Sequence, residues 1–122
     1  MENDSNSIVE LLECSDEELF AKIGQELHGD LFFPIDTGTL VNDARIWLSN
    51  KKAELQKCIC TNEAIIKLAG DQGSISGKVK LIVAISDFIA ALTIGVTPAA
   101  VSILIVREGL KSFCGSKYKV AE

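Results

Sequence analysis

The sequence predicts an all-α fold: a compact bundle of five or six helices with a buried C-terminal hydrophobic helical hairpin. Three observations carry this. Apolar residues recur at spacings of three and four over most of the chain, cap-type residues stand ahead of these runs, and glycines follow them. At 122 residues the chain is long enough to bury a core without staples, and one domain, 1–122, is expected, with 1–6 and 116–122 as frayed tails. A composition 48% hydrophobic and 24% charged, with two prolines, excludes a disordered chain.

In chain order, Ser7 is placed to cap a short helix through "IVELLE". "CSDEELFAKIGQELHGD" carries a stronger signal. Ser15 is the N-cap and Glu18 completes a capping box, while Asp16 and Glu17 favour the positive end of the helix dipole. Leu19, Phe20, Ile23 and Leu27 form its apolar face, and Gly29 stops it. After "DLFFPI", in which Phe32, Phe33 and Ile35 should anchor a loop stiffened by Pro34, a helix is predicted from Thr39 to Cys58. Leu40, Ala44, Trp47, Leu48 and Leu55 supply its core side. Thr61 or Asn62 then caps a short helix ending at Gly70.

A Gly/Ser loop, "GDQGSISGK", precedes the most apolar part of the chain, and Ser74 or Ser76 should cap the helix that follows. "GVTP" splits that part into two arms of the expected hairpin, roughly Val79–Ile94 and Pro98–Phe113. Gly95 ends the first arm, Thr97 caps the second and Pro98 takes its first helical position. Lys80 and Asp87 stand seven residues apart, as do Ser86 and Thr93, which gives a narrow polar stripe on an otherwise apolar rod. A helix this hydrophobic is expected to be buried almost all round. A lone carboxylate there is costly, so Asp87 is predicted to have a partner.

Charge is divided unevenly. Residues 1–36 carry −9 and the remainder +4, for a total of −5. The acidic part reads as a solvated helical face, or as a surface that steers a basic partner through residues such as Glu17 and Glu18. No basic stretch is dense enough to neutralise several phosphates, which excludes a nucleic-acid partner. The four cysteines follow an acidic, polar N-terminus with no apolar leader, so reduced thiols in a cytoplasmic setting are expected.

Four sets of residues could carry chemistry. Asp36-Thr37-Gly38, behind Phe33, Pro34 and Ile35, resembles the catalytic tripeptide of the aspartic proteases. Such a site shares a proton between two carboxylates, and a single copy implies a homodimer of the retroviral type. The residues that follow have helical periodicity, whereas that fold is nearly all β, so Asp36 or Thr37 is read as a helix N-cap. "GDQGSISGK" is similar to a P-loop, but Gly73 leaves three residues before Gly77-Lys78 instead of four, and Val79 replaces the hydroxyl residue. Cys58 and Cys60, with His28, Cys14 and Cys114, could ligate zinc, yet no CxxC knuckle occurs. A Cys–His dyad would have to use His28, the single histidine.

These readings converge on a non-catalytic, self-associating or adaptor module of a bacterial-type cytoplasm. It needs no cofactor, metal or small-molecule substrate, and its partner is a protein or a second copy. Asp87, Lys80, Trp47, Glu17 and Glu18 are the candidate interaction residues. The alternative is a membrane-active protein that inserts its hydrophobic hairpin; third comes a hydrolase using Asp36 or a cysteine.

Overall fold

Every regular element is helical in this computed structural model, which describes residues 5–29, 35–70, 75–93 and 95–115. The first helix, α1, is Ser5–Leu12, so it starts ahead of the expected Ser7 cap and takes in residues 5 and 6 of the expected tail. The rest of the two tails, 1–4 and 116–122, lies outside the described residues.

Helix α2, Asp16–His28, begins as its sequence specifies. Ser15 Oγ accepts the Glu18 amide at 3.1 Å, and Glu18 Oε1 accepts the Ser15 amide at 2.8 Å. The reciprocal pair satisfies two backbone donors that a helix start leaves open. Leu19, Phe20 and Ile23 are buried, but Leu27, the fourth residue of the expected face, is 37% exposed.

Helix α3, Thr37–Ile59, starts two residues earlier than predicted, because Asp36 is its cap. Leu40, Ala44 and Leu55 are buried, and Trp47 and Leu48 pack half-buried against the core. Phe32, Phe33 and Pro34 lie outside the described residues, and Ile35 is half-buried. Where α2 crosses α3, Gly24 meets the backbone carbonyl of Leu40 so closely that a Cβ would overlap it. The glycine is therefore a packing requirement of this crossing. Helix α4, Glu63–Ala69, is capped by Asn62, whose Oδ1 accepts the Ile65 amide at 3.1 Å.

The C-terminal third departs furthest from expectation. Helix α5 is Ile75–Ile89, so Ser76 and the Gly77-Lys78 pair sit inside it and Ser76 is not its cap; Ser74 lies outside the described residues. A 3-10 turn, Ala90–Leu92, replaces the last turn of the expected first arm, and Ile94 is not described. The second arm is not one helix. It divides into α6, Pro98–Glu108, and α7, Leu110–Cys114, at Gly109, whose φ of 95° suits a residue without Cβ.

Helix α6 is the apolar centre: Ala99 through Ile105 are all buried, so it meets protein on every side. Helix α5 corrects the expectation for an all-round buried rod. Leu81, Ile82, Ile85 and Ile89 face the core, whereas Lys80, Asp87 and Phe88 are exposed. The polar stripe thus separates into two, with Ser86 and Thr93 buried and Lys80 and Asp87 outside. Small residues let α5 and α6 approach closely. Ser86 Oγ lies 2.7 Å from the Ile82 carbonyl and 3.0 Å from Ser102 Oγ, which lies 2.9 Å from the Pro98 carbonyl. Two hydroxyl hydrogens serve these three contacts, so they are shared among them.

Distant parts of the chain are tied by a few polar and covalent links. Glu26 reaches from α2 to the start of α6. Its Oε1 accepts the Thr97 amide at 2.7 Å and its Oε2 the Thr97 hydroxyl at 2.6 Å. Thr97 holds the N-cap position, but its side chain caps nothing; the carboxylate of Glu26 meets the positive end of α6 instead. Arg107 donates to Asp16 Oδ1 at 2.7 Å and to the Leu12 and Cys14 carbonyls at 2.9 and 2.8 Å, joining α6 to the turn between α1 and α2. Cys60 and Cys114 form a disulfide with Cα atoms 5.7 Å apart, which corrects the expectation that all four thiols are reduced.

Candidate interaction surfaces

The five candidate interaction residues belong to three helices. Glu17 and Glu18 stand at the start of α2, where Glu18 is engaged in the capping box and Glu17 is exposed. Trp47 is half-buried in the middle of α3, as part of the core margin. Lys80 and Asp87 share one exposed face of α5. Asp87 is at the surface, so the cost of burying a carboxylate does not apply to it.

That face can be followed residue by residue. At 100° per residue, Lys80, Ala84 and Asp87 fall within a narrow strip, Phe88 borders it on one side and Val83 on the other. Lys80, Asp87 and Phe88 are exposed, Val83 and Ala84 are half-buried against the core, and α1, α3, α4 and α6 all pack against α5. Phe88 is 49% exposed, a large apolar surface left in water beside Asp87. The strip is narrow, and small at its middle.

A second surface is a cleft of ≈ 550 Å³ between α1, α5 and α6. Val9, Leu12, Ile103 and Val106 give it apolar walls, and Lys78 stands at its edge. The Arg107 guanidinium also borders the cleft, but its Nη atoms are turned to Asp16 and the Leu12 and Cys14 carbonyls. A further apolar surface is roofed by cations: the Arg45 guanidinium lies 4.3 Å from the centre of the Phe20 ring, and Lys52 Nζ 5.4 Å from that of Phe113.

The residues with catalytic potential are engaged in other ways. Asp36 Oδ2 accepts the Thr39 amide at 3.0 Å and Oδ1 accepts the Thr39 hydroxyl at 2.8 Å. These bonds favour the charged carboxylate, the amide most strongly, and hold its pKa below the ordinary carboxylate value. His28 Nε2 lies 2.7 Å from Asp43 Oδ2, in a half-exposed pair that links the end of α2 to α3. Cys60 and Cys114 are bonded to each other, and Cys14 and Cys58 are free thiols, half-buried. Among the described residues, no three His, Cys, Asp or Glu side chains converge as metal ligands, and no helix is long and apolar enough to cross a membrane.

Sequence reasoning missed Glu26, Arg107, Asp43 and the Cys60–Cys114 pairing. Only Arg107 left a readable local trace, a basic residue in the last turn followed by Gly109. Comparison with protein-family models, curated proteins and solved structures finds no match for this chain.

Proposed function

We propose that this chain is a non-catalytic helical interaction module that associates with itself, acting as a single domain in which the helices form one compact bundle around a buried α5–α6 hairpin. The observation that carries the reading is the outer face of α5, where half-exposed Phe88 stands beside Asp87 and on the same side as Lys80. Covering a half-exposed phenylalanine in a protein contact is favourable by about 1 kcal/mol, and the flanking charges give such a contact direction. The engagement of Asp36 in capping α3 supports a non-catalytic role, because the tripeptide that resembles a protease site already has a structural use. A cytoplasmic location is part of the reading. It sets a requirement: the Cys60–Cys114 bond must persist against a thiol pool that keeps most cytosolic cysteines reduced.

The mass of the purified protein in solution, measured over a range of concentrations and combined with a pull-down, tests the proposal. Concentration-dependent association is the expected result. A strict monomer that retains no partner would overturn the interaction reading.

A further inference from the structure

We infer that two copies of this chain pair antiparallel through α5, about a two-fold axis beside Val83 and Ala84, with Lys80 of each copy against Asp87 of the other. The inference rests on the self-association reading and specifies its surface and its partner.

The register of α5 sets the pairing. Lys80 and Asp87 are seven residues, or about 10.5 Å, apart along one face of α5. The midpoint between them falls between Val83 and Ala84. A two-fold axis there places each lysine opposite the other copy's aspartate, so one self-complementary patch supplies two ion pairs. The residues at the axis are one β-branched and one methyl side chain, which lets two helices approach closely. A parallel pairing would set Lys80 against Lys80 and Asp87 against Asp87, and like charges in contact exclude it. In the antiparallel register Phe88 lies alongside the aliphatic stem of the other copy's Lys80, whose ammonium continues to Asp87. The half-exposed ring is thereby covered, and the cation keeps its carboxylate partner.

The same contacts define the surface's limits. Leu81, Ile82, Ile85 and Ile89 are fully buried and take no part in the contact, whereas Val83 and Ala84 also pack in part against the core and offer only their outer surface to it. The patch is confined to about three helical turns, the scale of a weak and concentration-dependent dimer rather than an obligate one.

Charge exchange tests the pairing. Sedimentation equilibrium is run on the parent, on K80D, on D87K, on the double variant K80D/D87K, and on an equimolar mixture of the two single variants. Each single variant sets like charges together at both ends of the contact and should dimerise roughly tenfold or more weakly. The double variant restores opposite charges in reversed order and should regain the dimer. The mixture should form heterodimers, since one chain then carries two acids and the other two bases. Both residues are exposed, so helical circular dichroism should be unchanged in all variants.

If the parent dimerises and both single variants dimerise equally well, the α5 register is wrong while self-association stands. If the single variants dissociate but neither the double variant nor the mixture recovers, the Lys80–Asp87 pairing is wrong. A parent that stays monomeric at every concentration sinks the self-association reading itself.

Discussion

Asp36 accepts two hydrogen bonds from Thr39, one from its amide and one from its hydroxyl, and both favour the ionised carboxylate. Its folded pKa lies below the ordinary carboxylate value, so the cap contributes its full stability above the unfolded value and loses it as pH falls through the folded one. Thermal melts of the parent and of Asp36→Ala should therefore differ most at about pH 7, and the gap should narrow below about pH 4. Asp36→Asn keeps an acceptor oxygen without the charge, and its deficit should be smaller at neutral pH. A parent–alanine gap that does not change with pH would show that ionisation of Asp36 is not coupled to folding. At this scale the sequence was legible where partners are close. Ser15 with Glu18 could be read from a three-residue spacing, and Asn62, which caps α4 through the Ile65 amide, was one of two adjacent candidates with Thr61. Glu26 could not, because its partner Thr97 is 71 residues away and nothing in the local pattern separates this carboxylate from its solvated neighbours.

At the scale of elements, the α2–α3 crossing depends on Gly24. Replacing a mid-helix glycine by alanine normally gains about 1 kcal/mol in helix propensity. Here the new methyl group would meet the Leu40 carbonyl, part of a backbone that cannot turn aside as a side chain can. Overpacking of this kind costs about 1–3 kcal/mol, so the steric loss prevails and Gly24→Ala should lower the urea midpoint. Gly70 provides the contrast. It is exposed, has a φ of −74°, and offers ordinary contact distances to an added Cβ. Gly70→Ala should leave the midpoint unchanged or slightly raised; a matching fall at both positions would count against the crossing as the cause. Periodicity exposed α2 and α3 because their apolar faces and caps agree. Periodicity did not reveal the break at Gly109, since apolar residues continue at helical spacing on both sides of it and Leu110 and Phe113 are buried like their α6 predecessors; Arg107 ahead of the glycine was its one mark.

For the whole molecule, the Cys60–Cys114 bond spans 54 residues and ties the end of α3 to the end of α7. Loop-closure entropy assigns a cross-link of that span about 4 kcal/mol, acting mainly on the unfolded chain. Denaturant titration with and without a dithiol reductant should show a fall in stability approaching that size, as should the Cys60→Ser/Cys114→Ser double variant. Alkylation without reductant should label Cys14 and Cys58 alone, and labelling of all four would mean that the bond is not formed. The all-helical class was legible from the sequence; the long-range ties were not. Cysteine spacing gives no connectivity, and Arg107 meets Asp16 from 91 positions further along the chain.

Covalently, the oxidised chain is a ring with two arms. The ring holds α4, α5, α6 and α7, while α1, α2 and α3 belong to the arm that precedes Cys60. That arm is anchored back on the ring by Glu26 at Thr97 and by Arg107 at Asp16, Leu12 and Cys14. A force applied to the two ends can peel the arm away and straighten it, but the segment from Cys60 to Cys114 stays folded back on itself as a closed circuit. The central helix α6 lies inside that circuit, and the termini cannot pull it out straight until the bond is cut.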